Sequence, residues 1–281
     1  MGRWRVGLCV AALGLASCAG SKDEASVPRI VVTYSALESI VAAIVGDAAR
    51  VEVIVPNGTD PHDFEPSAKD VEMMSAAAVV VANGLVFEEG LEDALIEVEK
   101  SGVSVFHIAD HVTRREGDPH VWLDPLTLAE AVPALAREIG DRIGVDFESA
   151  GAAVAASLGE LNETIEKRIT TLESCVVITG HDSLGYFGAR YGCEVIGSII
   201  PGFSTAAEAT AKDLAELKAL ARAEGVSAIF TELGTPSDVA DQLAKEVGVE
   251  VVEIATHLVP VGGGYEEMMI ALADAIVGGL S

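Results

Sequence analysis

Six histidines stand in the 281-residue chain, and two of them follow the same dipeptide, in Asp60-Pro61-His62 and Asp118-Pro119-His120. Two more follow apolar runs: His181 in "ITGHDSLG" and His257 in "EIATHLVP". A neutral imidazole is the commonest protein metal ligand, and its second nitrogen is normally held by a carboxylate or carbonyl. Asp60, Asp63, Asp118, Asp124 and Asp182 all lie within a few residues of one of these histidines. Four imidazoles suit tetrahedral Zn²⁺, at Zn–N distances of about 2.0–2.1 Å. A closed four-ligand site leaves no position for an activated water, so its chemistry is holding a metal rather than catalysing with it. The plain reading is a set of solvated loop histidines. Asp-Pro-His can also be no more than a turn, because proline biases the residue before it towards extended backbone. The choice depends on where the chain's elements place these residues.

The elements alternate. Apolar runs rich in β-branched residues predict strands at Arg29–Tyr34, Val51–Val55, Ala78–Ala82 and Val103–Phe106. Helices are expected from Ser35 (a candidate cap) to about Asp47, from Ser67 onward, and from Phe87 to about Lys100. Residues 126–172 carry no strand signal: one amphipathic helix spans Leu126–Ile143, and a second runs from about Asp146 to Thr171. Alternation then resumes, with strands at Cys175–Thr179, Glu194–Ile196, Ser227–Thr231 and Val249–Ile254. The helices there are expected at Ser183–Tyr191, Ala206–Arg222, Ser237–Val247 and Tyr265–Gly278. Strands apolar along their whole length, interleaved with helices, predict parallel sheets covered on both faces. The expected architecture is α/β, with two lobes, each a parallel sheet flanked by helices, joined by one long rigid helix. Its divisions are 27–145 for the first lobe, 146–173 for the joining helix and 174–281 for the second lobe.

Ligands of open α/β sheets bind beyond the carboxyl ends of the strands. His62, His120, His181 and His257 all fall after strands, two from each lobe, and the remaining His107 and His111 lie just ahead of His120. If the lobes face each other there, four imidazoles converge on one cleft.

The termini and composition bound the setting. Residues 1–18 combine a basic start (Arg3, Arg5), an apolar run too short to span a bilayer, and "LASC" ending at Cys18. This resembles a bacterial lipoprotein signal in which Cys18 carries the lipid; an ordinary cleaved export signal is the alternative. Residues 19–26 read as a polar tether, and the lipid would hold the chain to a membrane surface without spanning it. The formal net charge is -26, with no basic stripe, which argues against nucleic acid as a partner. Export leaves Cys175 and Cys193 in an oxidising compartment, either as a disulfide between neighbouring strand starts or as two buried thiols.

The stretches "VIVPNGTDPHDFEPSAKDVEMMSAA", "DPHVWLDP", "ITGHDSLGYFGARYG" and "AIFTELGTPSDVADQLAKEVGVEV" resemble the substrate-binding lipoproteins of bacterial zinc and manganese ABC transporters, the cluster A-I solute-binding proteins. The resemblance spans about Val27 to Leu280. It implies two α/β lobes with a metal between them, held by His62, His120 and His181, and partnership with a membrane permease and its ATPase. An imidazole at 181 resembles zinc-type members, with Mn²⁺ as the alternative cargo, since Mn²⁺ favours carboxylate oxygen. The family's usual fourth ligand is an Asp, and this chain has none in "EIATHLVP". His257 is the nearest substitute, with Glu232 the competitor, read instead as a partner of a ligand. Asp60, Asp118 and Asp182 are expected in the same supporting role. The shortened His107–Asp118 loop lacks the His-rich insertion of many zinc members, and a weak auxiliary site there is the most it could offer. The expected product is a monomeric extracytoplasmic protein that captures Zn²⁺ for an ABC permease. The alternatives are a zinc hydrolase, with Glu232 or Asp182 as base, and a receptor or adhesin on the same fold. No HExxH or G-x-S-x-G supports the hydrolase.

Overall fold

A computed structural model gives the fold and describes residues 27–233 and 237–281. The segment 1–18 with its Cys18, and the tether 19–26, lie outside the described residues.

The first sheet contains β1 (Arg29–Tyr34), β2 (Arg50–Val55), β3 (Val79–Ala82) and β4 (Ser104–His107), all parallel, in the order β2-β1-β3-β4. The second contains β5 (Val176–His181), β6 (Glu194–Ile200), β7 (Ala228–Glu232) and β8 (Glu250–Ile254), again all parallel, in the order β6-β5-β7-β8. The same winding therefore occurs twice. In each sheet the strand order reverses between the first and third strands, and a crevice opens beyond their carboxyl ends.

The crossovers are α1 (Ser35–Val45), α2 (Ala68–Ser75) and α3 (Glu92–Lys100) in the first lobe, and α6 (Gly185–Tyr191), α7 (Ala211–Glu224) and α8 (Asp238–Val247) in the second. Between the lobes run α4 (Pro125–Ile143) and α5 (Glu148–Ile169), and α9 (Tyr265–Leu280) ends the chain. The joining helix α5 has 22 residues, about 33 Å at 1.5 Å per residue. Its buried Val154, Leu158, Leu161, Ile165 and Ile169 recur at three- and four-residue steps, so one face packs inward. One apolar core runs from the first sheet (Val31, Val80) through α4 and α5 (Leu135, Ile165) to the inner face of the second sheet (Val177, Phe230). A smaller cluster under α7 and α8 covers that sheet's outer face through Ile178, Ile229, Leu217 and Leu243. The alternation of Val177 with Ile178 and of Ile229 with Phe230 between the two clusters is the two-residue period of a strand buried on both faces.

Three local expectations are corrected. Ser35 does not cap α1; its hydroxyl donates to Asn57 Oδ1 at 3.1 Å and to the His257 carbonyl at 3.2 Å. Helix α3 begins at Glu92 rather than Phe87, because Gly84, Leu85 and Val86 all take positive φ and Phe87 turns into the core. Helix α7 begins at Ala211 rather than Ala206, where Thr210 and Asp213 form a capping box. Cys175 and Cys193, at the starts of neighbouring parallel strands, are joined as a disulfide.

Candidate metal centre

The histidines reach the cleft from different kinds of position. His181 is the last residue of β5, and Glu232 the last of β7, so both stand where the second sheet's strand order reverses. His62 lies in the loop after β2 and His120 beyond the loop after β4, both leaving outer strands of the first sheet. His257 lies in the β8–α9 loop.

The structure brings His62, His120 and His181 together: all three are buried, and each offers a ligand nitrogen within 4.8 Å of the others. The Nε2 atoms of His120 and His181 stand 3.1 Å apart, close enough to share one proton. The His62 ring lies edge-on to both, with centroids 5.6 and 5.4 Å away. His257 is buried too, but it is not a member of the three-residue group. Its Nδ1 lies 3.2 Å from Thr256 Oγ1, and its Nε2 is buried without a hydrogen-bond partner. The loop that carries it is fastened to the first lobe: Trp122 Nε1–H donates to the Thr256 carbonyl at 2.6 Å, and Asn57 pairs with the Val259 backbone.

Each clustered imidazole has a carboxylate at its Nδ1. For His120 it is Asp118 Oδ1 at 2.9 Å; the same oxygen accepts the His120 backbone N–H, so the Asp-Pro-His turn folds its aspartate back onto the ring. For His181 it is Glu232 Oε1 at 3.1 Å, which also accepts from Ser183 Oγ at 2.7 Å. A Cβ on Gly180 would collide with the Glu232 carboxylate, so only glycine leaves room for this pair. For His62 it is Glu89 Oε1, at 3.6 Å. Asp60, expected in that role, instead accepts the His62 backbone N–H at 3.0 Å and the Thr205 hydroxyl at 2.6 Å, which ties the first lobe to the 201–206 loop. Asp182 anchors the same loop, by accepting the Gly202 N–H at 3.0 Å. His111 stacks on Phe106, and neither it nor His107 joins the cluster.

An aromatic box underlies the first lobe's half. Phe87 meets the His62 ring edge-on at 4.8 Å and Trp122 meets the His120 ring at 5.4 Å, while Tyr34 backs both aromatics. Sequence reading passed over these residues. The signal was present in "DPHVWLDP", where Trp122 follows His120 by two positions.

Protonation follows from these surroundings. Burial, reinforced by the neighbouring imidazoles, lowers His62 to about 3. Burial likewise pulls His120 well below the usual imidazole value and lowers His257. Burial also acts on His181, but there the Glu232 carboxylate prevails and the pKa is raised. The cleft therefore presents neutral imidazoles from the first lobe and a proton-holding His181–Glu232 pair from the second.

Comparison with known proteins bears on this geometry. The zinc-uptake complex component A (ZnuA, periplasmic) family profile matches residues 30–279. The chain belongs to this family. It is 29% identical over 291 residues to the zinc-binding protein TroA of Treponema pallidum, covering 97% of this chain and 92% of that one. It is also 29% identical over 294 residues to the manganese-binding lipoprotein MntA of Halalkalibacterium halodurans, covering 98% and 97%. The solved structure of the periplasmic zinc-binding protein TroA from Treponema pallidum superposes with a TM-score of 0.81 at 25% identity, over 91% of this chain and 99% of that one. A solved ZnuA structure shares the fold, with a TM-score of 0.77 at 24% identity over 91% and 100% of the two chains. The two-lobe architecture of paired parallel sheets is that of these neighbours. The family is one of solute-binding proteins.

Proposed function

We propose that this protein captures Zn²⁺ outside the cytoplasm, between its two lobes, and hands it to an ABC permease driven by its ATPase. The observation that carries this reading is the convergence of three buried imidazoles from both lobes, with ligand atoms within 4.8 Å of one another. His62, His120 and His181 are the proposed ligands. His257 is the proposed fourth, since a metal would satisfy its buried, unpartnered Nε2. Glu232 already holds His181 Nδ1 and the Ser183 hydroxyl, which favours its acting through His181 rather than on the ion. Asp118 does the same for His120. The donor set is nitrogen, which suits Zn²⁺ better than Mn²⁺. Relatives that carry zinc and manganese are both named among the matches, so the cargo is a matter for direct test. Asp60 and Asp182 fasten the 201–206 loop beside the site. We further propose attachment of the mature chain through a lipid on Cys18, as a monomer on the outer face of the cytoplasmic membrane; no described helix is long and apolar enough to cross a membrane.

The test is a titration of metal-free mature protein with Zn²⁺ and Mn²⁺ at pH 7, for wild type and His181→Ala. Tight one-to-one Zn²⁺ binding, tighter than Mn²⁺ and lost in the variant, is expected. Absent binding, or hydrolytic turnover, contradicts the reading.

A further inference from the structure

The β3–α3 loop, residues 83–91, departs from ordinary backbone more than any other described segment. Gly84, Leu85 and Val86 take positive φ in succession, and Leu85 and Val86 are the only non-glycine residues among those described that do so. At the two non-glycine positions such conformations cost about 1–3 kcal/mol each and persist where surrounding structure imposes them. Here the imposition is visible. Glu88, fully buried, accepts the Asn83 N–H at 2.8 Å and a short hydrogen bond from the Thr33 hydroxyl. Asn83 Nδ2 donates to the Pro119 carbonyl at 2.7 Å, one residue before His120. The loop's other end is pressed against the His62 loop, since a Cβ on Gly90 would collide with the Phe64 carbonyl. The outcome is that Phe87 lies under His62 and Glu89 Oε1 sits 3.6 Å from His62 Nδ1, an atom that is buried and has no hydrogen-bond partner.

We infer that Glu89 is the residue that positions His62, accepting its Nδ1–H and so presenting Nε2 to the ion. His120 and His181 already have carboxylates at 2.9 and 3.1 Å on Nδ1, while the expected partner Asp60 is turned to backbone and to Thr205. Glu89 is partly exposed and one short side-chain adjustment from contact. That adjustment needs no ion; a metal on Nε2 would tighten the contact further, because it makes Nδ1–H a stronger donor. This inference rests on the metal-capture reading only for its affinity arm; its tautomer arm is read in the metal-free protein.

The mature chain carrying Glu89→Ala or Glu89→Gln tests it, with Zn²⁺ affinity from chelator competition and the His62 tautomer from ring ¹⁵N shifts. Glu89→Ala is expected to weaken Zn²⁺ binding about 10–100-fold, with the metal-free thermal midpoint unchanged, and to lose the Nδ1–H preference of wild-type His62. Glu89→Gln, which keeps an acceptor oxygen, is expected to restore the tautomer and most of the affinity. An Ala variant with wild-type affinity and a wild-type His62 tautomer overturns the inference. Absent Zn²⁺ binding in wild type would instead overturn the functional reading, and the tautomer comparison would still decide the role of Glu89.

Discussion

The two halves of the cleft are built by different means on the same strand order. The second lobe puts its chemistry on the sheet itself: His181 and Glu232 end its two central strands, bonded to each other across the point where the order reverses. The first lobe leaves that point to Tyr34 and Asn83, which hydrogen-bond at 3.2 Å, and brings His62 and His120 in from loops after its outer strands. Loop-borne ligands need a floor, and Phe87, Trp122 and Tyr34 supply it. The electrostatics follow ring position: the loop-borne His62, His120 and His257 are lowered by burial, while the strand-borne His181 holds its proton beside a carboxylate. The loop-borne rings on the aromatic floor are thus kept unprotonated chiefly by burial, whereas the strand-borne His181 is governed by the charge of Glu232.

The largest effects should come from removing one imidazole from either half. His120→Ala and His181→Ala are each expected to cost Zn²⁺ affinity more than the roughly 10–100-fold typical of outer partners, as read by competition titration. A variant of one half that binds normally would break the pairing of the halves.

Next come the carboxylates behind the rings. Asp118→Asn and Glu232→Gln should each weaken binding about 10–100-fold. Glu232→Gln should move proton competition to lower pH, because His181 alone among the rings has its pKa raised, by Glu232, whereas Asp118→Asn should remove the titration of a carboxyl that burial raises to about 6. Equal pH profiles for the two variants would erase the electrostatic distinction.

The metal-free protein sharpens the distinction further. His62 titrates at about 3 in the fold against 6.5 ordinarily. Between those values the unfolded chain binds a proton that the folded chain refuses, so stability should fall as pH drops from about 6.5 towards 3. His120 and His257, both lowered, act in the same sense; Asp118, which burial raises to about 6, and Glu88, also raised by burial, oppose them, whereas the raised His181 makes its contribution above about 6.5 and leaves this window's slope unchanged. Thermal midpoints across this range check it, and His62→Phe, which stays neutral, should lessen the slope.

The smallest effect on the metal is expected from Cys175→Ser with Cys193→Ser. The disulfide joins the starts of β5 and β6, at the opposite end of the sheet from His181. Stability should fall by about 2–4 kcal/mol, seen in denaturant unfolding, with Zn²⁺ affinity unchanged.

Much of this was legible in the residue order. Continuous apolar strands alternating with helices read as two parallel α/β lobes, because a strand buried on both faces must be apolar throughout. The sheet-edge rule also put four histidines on the right side of their sheets. What escaped was whatever depends on contacts distant in sequence. Phe87 opened a helical apolar pattern, yet the Glu88 anchor to Thr33 and Asn83 holds the chain out of helix there. Asp182, directly after β5 and next to His181, goes to Gly202, and Ser35 goes to the second lobe instead of its own helix. Asp124, noted as a neighbour of His120, caps α4 and accepts from Arg190 Nε and Nη2, at 2.8 and 2.7 Å, from the other lobe.

The most direct test of the central claim, that both halves ligate one ion, is X-ray absorption spectroscopy at the zinc edge of the loaded mature protein. The account predicts a four-coordinate ion with imidazole scattering from at least three rings, at about 2.0–2.1 Å, and one ring fewer in either His120→Ala or His181→Ala if those variants retain zinc at high concentration. A six-coordinate oxygen shell, or a ring count unaltered by one of the two substitutions, would contradict it.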